Sequence, residues 1–212
     1  MDRLSNDILR SLYALSKLPS PGPAPAFSYL HVCNALLTIG DEGPIGRIEL
    51  SRRLGLGEGA IRTVMKHLTQ AKVISTEKEG CILTSRGSKL YEGLRKRVSR
   101  VKEVDAGPLS LDEFNAAILI RHAARFLKKG IEQRDAAVRT GATGACTLVV
   151  HGGRYTMPLA DDDDWSMSSD EPLAEVLKKL FNPKEGDIIA IVGAANKELA
   201  EQGAMAVALT LL

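Results

Sequence analysis

Arg62, Thr63 and Lys66 are the side chains in this 212-residue sequence whose types and spacing suit them to hold a partner. They lie in Glu58–Gln70, where Ile61, Val64, Met65 and Leu68 recur at spacings of one, three and four. That period predicts a helix with one inward face. Arg62, Thr63, Lys66 and Thr69 fall elsewhere on the cylinder. A guanidinium, a hydroxyl and an ammonium on the open side of a helix can hydrogen-bond base edges and phosphates. Such a helix fits the major groove of DNA if its first turns are exposed. Ahead of it, Arg47–Leu54 reads as a shorter helix and Gly55-Leu56-Gly57 as a tight turn.

Residue sets for other chemistries are not found. There is no Gly-x-Ser-x-Gly elbow, no Walker glycine-lysine loop and no His-Glu-x-x-His, so no catalytic residue is assigned. Gly193-Ala194-Ala195 is not a dinucleotide fingerprint, and no cofactor is expected. His122 and His151 are single imidazoles without a second ligand at metal spacing. Asp161–Asp164 reads as a solvated acidic loop, because consecutive carboxylates repel one another and no calcium-loop glycine pattern accompanies them. Cys33, Cys81 and Cys146 are too few and too widely spaced for a disulfide framework or a metal site. No metal is expected, and a reduced, cytoplasmic setting fits best.

The length allows two domains of about 100 residues. Hydrophobic content of 44% with 25% charged residues is ordinary for a soluble protein. Only 4% is aromatic, so the cores must be aliphatic. No apolar run approaches the roughly 20 residues of a membrane span, and the N-terminus has no signal-peptide pattern. The net charge of +2 conceals an asymmetry. Gly46–Glu103 carries 14 Lys/Arg against 6 Asp/Glu, whereas Leu109–Leu212 carries 11 against 15. A basic front half suits nucleic-acid contact.

Along the chain, Leu4–Leu18 predicts an amphipathic helix, followed by a Pro-rich connector at residues 19–25. The helix needs cover for its apolar stripe, either its own subunit or a dimer partner. Phe27–Ile39 predicts the first core helix. After Gln70, two β-prone runs, Ala71–Glu77 and Cys81–Thr84, form a hairpin around a Gly80-bearing turn. Thr84 or Ser85 caps a long helix through Val101, with Arg95, Lys96, Arg97, Arg100 and Lys102 on its outer face.

This order resembles a winged helix-turn-helix over Phe27–Val104. The resemblance is carried by Leu50-Ser51 with Leu54, the Gly55-Leu56-Gly57 turn, Ile61 and Leu68, Val73-Ile74, and Leu83-Thr84-Ser85-Arg86-Gly87. It implies that Glu58–Gln70 is the recognition helix. Arg62 would pair bidentately with guanine, and Thr63 and Lys66 would reach bases or phosphates. Gly57 and Gly59 would leave the helix start bare for a phosphate. Arg52, Arg53, Lys78 and Arg86 would hold the sugar-phosphate backbone.

Beyond Val104–Pro108 the order reads β-α-β-β-α-β-α: a strand at Ala116–Ile120, a helix at Gly130–Gly141, strands at Cys146–Val150 and Tyr155–Met157, an acidic loop at 160–169, a helix capped by Asp170, a strand at Ile188–Val192 and a final helix to Leu211. This predicts a small α/β domain with a mixed or mostly parallel sheet. Ligands in such sheets collect at strand carboxyl ends. Two places qualify: Glu132, Gln133, Arg134 and Asp135 at a helix start, with Thr143 completing a pocket, and Gly193–Asn196 after the last strand.

The expected fold is therefore α/β overall with an α+β front domain: residues 1–25 as helix and connector, 26–104 as winged helix-turn-helix, and 109–212 as an α/β ligand-sensing or dimerisation domain. The whole chain also resembles an uncharacterised archaeal two-domain family of transcriptional-regulator type. That likeness rests on Pro23–Phe27, Gly57–Ala60 with Arg62-Thr63, Gly130–Ala137 and Gly141–Ala145. The function expected is a DNA-binding transcriptional regulator, a homodimer on double-stranded DNA with a small-molecule effector and no membrane contact. The alternatives are a bifunctional enzyme carrying a winged helix and a protein–protein adaptor.

Overall fold

The computed structural model describes residues 3–17, 27–158 and 165–212. The Pro-rich connector and the Asp161–Asp164 run lie outside these residues. The chain divides into two compact units, Met1–Leu94 and Arg95–Leu212.

The front unit runs α1 (Arg3–Ser16), α2 (Tyr29–Glu42), α3 (Arg47–Leu54), α4 (Glu58–Gln70), the hairpin β1 (Ile74–Thr76) and β2 (Cys81–Leu83), then α5 (Ser85–Arg95). The two strands pair antiparallel, Ile74 opposite Leu83, and Ile45 adds a further rung through two hydrogen bonds with Cys81. The core is aliphatic: Leu36, Leu50, Ile61, Leu68, Ile74 and Leu94 are all but inaccessible. Leu12 and Leu15 of α1 are buried as well, and α1 lies on α2 and α4. The Leu12 and Leu15 part of its stripe is thus covered within its own unit. Gly87, in the first turn of α5, lies so close to the segment joining α4 to β1 that a Cβ there would meet the Val73 carbonyl oxygen at 2.0 Å. Thr84 closes the same corner, its hydroxyl reaching the Lys72 carbonyl at 2.6 Å and accepting the Gly87 N–H at 3.1 Å.

The long basic helix expected through Val101 ends at Arg95. Ser99 N–H donates to the Leu119 carbonyl, Arg121 N–H to the Arg97 carbonyl, and Val98 bridges Ile120. Lys102–Glu103 then forms β3. Val98, Val101 and Val104 favour this extended course. Residues 95–104, expected to close the front domain, accordingly belong to the rear unit. Counted by this division, Met1–Leu94 holds 12 Lys/Arg against 9 Asp/Glu, a much smaller surplus than the sequence blocks suggest.

The rear unit is built on a six-stranded sheet in the order β3-β4-β8-β5-β6-β7. Here β4 is Phe114–Ile120, β5 Gly144–His151, β6 Arg154–Met157, β7 Trp165–Ser168 and β8 Ile188–Ala194. Every hydrogen-bonded pair in this sheet is antiparallel, which corrects the expected mixed or mostly parallel sheet. The alternation of strands and helices misled because β8, late in sequence, inserts between β4 and β5. All seven β8 residues are buried, so its apolar run has both faces covered. Two helices, α6 (Ile131–Val138) and α8 (Lys197–Leu209), pack on one face, where Gly203 comes against Val192. The third, α7 (Pro172–Phe181), supplies Leu173, Leu177 and Phe181 to a core with Leu119, Leu148 and Ile189 on the other. Two local expectations fail here. Trp165–Ser168 is a strand rather than loop, its period of two hidden behind the acidic run. Glu171 rather than Asp170 holds the N-cap position of α7, and its carboxylate accepts the Ser168 N–H at 2.8 Å. Among the described residues no helix is long and apolar enough to cross a membrane.

The close approach at Gly87 gives a test. Gly87→Ala should destabilise the front unit by about 1–3 kcal/mol through backbone overpacking. Gly59→Ala, whose Cβ would meet nothing within 4 Å, should stabilise it by about 0.5–1 kcal/mol. Urea unfolding midpoints of the two variants would separate in opposite directions from the parent.

Candidate nucleic-acid interface

The turn between α3 and α4 fixes how α4 is presented. Gly55 takes a left-handed conformation (φ 61°) and its N–H returns to the Arg52 carbonyl. Leu56 N–H bonds the Ser51 carbonyl at 3.2 Å, and the Ser51 hydroxyl donates to the Leu56 carbonyl. A side chain at Gly55 would be strained in that conformation. Gly57 then takes the N-cap position of α4 in extended form and, having no side chain, contributes no cap. The first N–H groups of α4 are left at a helix end that favours anions. Ideal Cβ atoms at Gly57 and Gly59 would find nothing within 4 Å.

Burial sorts the nine front-unit candidates. Ile61, Val64, His67 and Leu68 point inward. Arg62 and Lys66, one turn apart, are exposed and hold no ion pair among the described residues. Thr63 is half-buried and its hydroxyl donates to the Gly59 carbonyl at 3.1 Å, so it serves its own helix. Arg86 is tied by one guanidinium nitrogen to the Ala71 carbonyl at 3.0 Å. Lys78 stands exposed at the hairpin tip between Glu77 and Glu79, a tip of net negative charge.

Arg52 and Arg53 are engaged. Arg52 grips Glu49 bidentately at 2.9 and 2.6 Å, while Arg53 reaches Glu49 at 2.8 Å and Glu42 at 3.0 Å. Arg47 pairs with Glu58 at 3.4 Å. Hydrogen bonds from Arg52 and Arg53 bring the Glu49 carboxyl down to about 2. Three arginines beside the turn are thus matched by three glutamates. Sequence charge counting missed this because it does not see which charges meet.

His67 was also missed. It is buried, its Nδ1 lies 3.1 Å from the Leu15 carbonyl oxygen, and its ring stacks edge-on to Phe27 at 5.7 Å. Facing a carbonyl, Nδ1 carries the proton and donates. His67 therefore ties the C-terminal half of α4 to α1. Its place three residues after Val64, on the inward arc, was the available signal.

The rear-unit candidates do not converge. Glu132 pairs with Lys128, and Arg134 with Asp135, all at the surface. Gln133 is buried and donates to the Thr210 hydroxyl at 2.8 Å, securing α6 to the end of α8. Thr143 lies elsewhere: its hydroxyl donates to the Asp112 carboxylate, which holds that carboxyl below its usual range, and its N–H donates to the Gly193 carbonyl at 2.8 Å. Gly193 is not an open cradle, since a Cβ there would meet Leu111 Cβ at 2.6 Å. Asn196 caps α8, accepting the Leu199 N–H at 2.9 Å. Asn196 and Thr210 flank the 13 residues of α8, about 20 Å of helix, so the two groups occupy opposite ends of it. The expectation that Thr143 completes a pocket with Glu132–Asp135 is corrected. With antiparallel neighbours, the argument that gathers ligands at strand carboxyl ends also loses its basis. Asn115, a further buried polar residue, holds the preceding loop by donating to the Ser110 hydroxyl and the Asp112 carbonyl.

Residues 111–211 match a family described as "Domain of unknown function (DUF4443)", and residues 35–89 match one described as "PH0730-like, N-terminal domain". A solved structure, "Hypothetical protein PH0730 from Pyrococcus horikoshii OT3", is similar at 28% identity and a TM-score of 0.70, over 87% of this chain and 92% of that one. The chain thus resembles an uncharacterised archaeal protein over most of its length. The curated proteins provide no match.

The Glu49 cluster makes a pH prediction. Its folded pKa of about 2 lies below the ordinary 4.5. Its ion pairs therefore stabilise the fold fully above about pH 4.5, and that contribution fades as pH falls toward 2. Carboxyl NMR titration should place Glu49 near 2 in the parent. In the Arg52→Gln, Arg53→Gln double variant its midpoint should return toward the ordinary range.

Proposed function

We propose that this chain is a DNA-binding transcriptional regulator acting in the cytoplasm. The front unit docks α4 in the major groove of double-stranded DNA, and the rear unit pairs two copies or senses a small molecule. The observation that carries the reading is the open face of α4. Arg62 and Lys66 stand there one turn apart, free of ion pairs among the described residues, behind a bare Gly57–Gly59 start. Arg62 has the planar fork that matches guanine O6 and N7, and the helix start offers N–H groups to a phosphate. Two such helices in a dimer read half-sites one duplex turn, about 34 Å, apart.

The ion-paired arginines limit the electrostatic part of binding. Arg52 and Arg53 keep their glutamates and Arg86 is tied to Ala71, so of the candidate cations Arg62, Lys66 and Lys78 are the ones offered to DNA. Counterion release by three contacts gives a slope of log K against log salt of about −2.7 per protomer. Binding to duplexes enriched from a random pool should show that slope. Arg62→Ala should weaken it by about 1–3 kcal/mol and relax base preference at one position. Glu49→Gln, which removes the carboxylate charge shared by Arg52 and Arg53 while Arg53 keeps Glu42, should steepen the slope. Salt-insensitive association, or an Arg62→Ala variant that binds like the parent, contradicts the reading.

A further inference from the structure

Beside Arg62 the front unit exposes an apolar surface that the fold does not bury. Ile48, the second residue of α3, is 72% exposed. It lines a shallow groove with Gly46, Arg47, Glu49 and the half-buried Met65 of α4. Met65 lies three residues after Arg62, hence next to it on the helix surface.

Resting on the DNA-binding reading, we propose that Ile48 and Met65 form a subsite for the C5-methyl group of a thymine adjacent to the base that Arg62 contacts. Charge favours DNA as the occupant. Glu49 is held by Arg52 and Arg53, and Glu58 by Arg47. The free charges at the margin are therefore the cations Arg62 and Lys66. Chemistry then selects the base, because the thymine methyl is the one apolar group that base edges present in the major groove. The subsite makes α3, and not α4 alone, a determinant of sequence preference.

The test uses the full-length protein. A duplex is selected from a random pool, and each thymine in it is replaced in turn by deoxyuridine, which lacks only the methyl group. At one position the parent should lose affinity by about fourfold, the factor for burying one methyl-sized group. Ile48→Ala should bind the thymine and deoxyuridine duplexes equally, and Ile48→Val should keep most of the discrimination. Because Ile48 is exposed, Ile48→Ala should unfold at the parent's urea midpoint, which checks that the variant folds. If no deoxyuridine substitution weakens the parent, or the loss persists undiminished in Ile48→Ala, the subsite is overturned. Arg62-dependent binding would then still stand. If no duplex is enriched at all, the DNA-binding reading fails and the subsite falls with it.

Discussion

Everything at the front of this molecule depends on burying one face of α4. Ile61, Val64 and Leu68 are fully inaccessible, and each contributes about 1.5–3 kcal/mol on burial. Exposed ion pairs are weak beside that, so burial sets the rotation of α4 about its axis. With those three inward, Arg62 and Lys66 must face out. The left-handed Gly55 turn sets the direction of α4 relative to α3, and His67 holds its far half to α1. The positions of the cations follow from the apolar residues between them.

Charge is arranged more sparingly than the sequence suggests. The strongly basic block from Gly46 to Glu103 is split between two units, with Arg95 to Lys102 in the rear one, passing from the end of α5 through a turn into an extended run that begins at Val98. In the front unit, Arg47, Arg52 and Arg53 are matched by Glu58, Glu49 and Glu42. On the open side of α4 and at the hairpin tip, Arg62, Lys66 and Lys78 remain. On the proposed DNA-binding reading, such a surface would get less of its affinity from nonspecific phosphate attraction and rely more on contacts to base edges.

The front unit was largely legible because its signals are local. Helical periodicity, a Gly-x-Gly turn and two β-prone runs need no distant partner to be read, and the bounds of α3 and α4 coincide with those the sequence predicts. The rear unit was legible as elements but not as a sheet. Nothing local in Ile188–Val192 says that it inserts between β4 and β5, and strand direction follows from that insertion. The helix expected to Val101 failed for a related reason: the pairing of Val98–Glu103 with β4 is a long-range contact. The candidate residues divide the same way. Exposure of Arg62 and Lys66 follows from periodicity, whereas the pairing of Arg52 with Glu49 and the separation of Thr143 from Glu132 depend on folded geometry.

The most direct measurement of the account is a residue-resolved NMR map of the protein titrated with a selected DNA duplex. The largest backbone amide shifts should fall on Gly57 to Lys66, with smaller ones at Ile48 and Lys78. Shifts confined to Arg95–Lys102, or a spectrum unchanged by DNA, would contradict it.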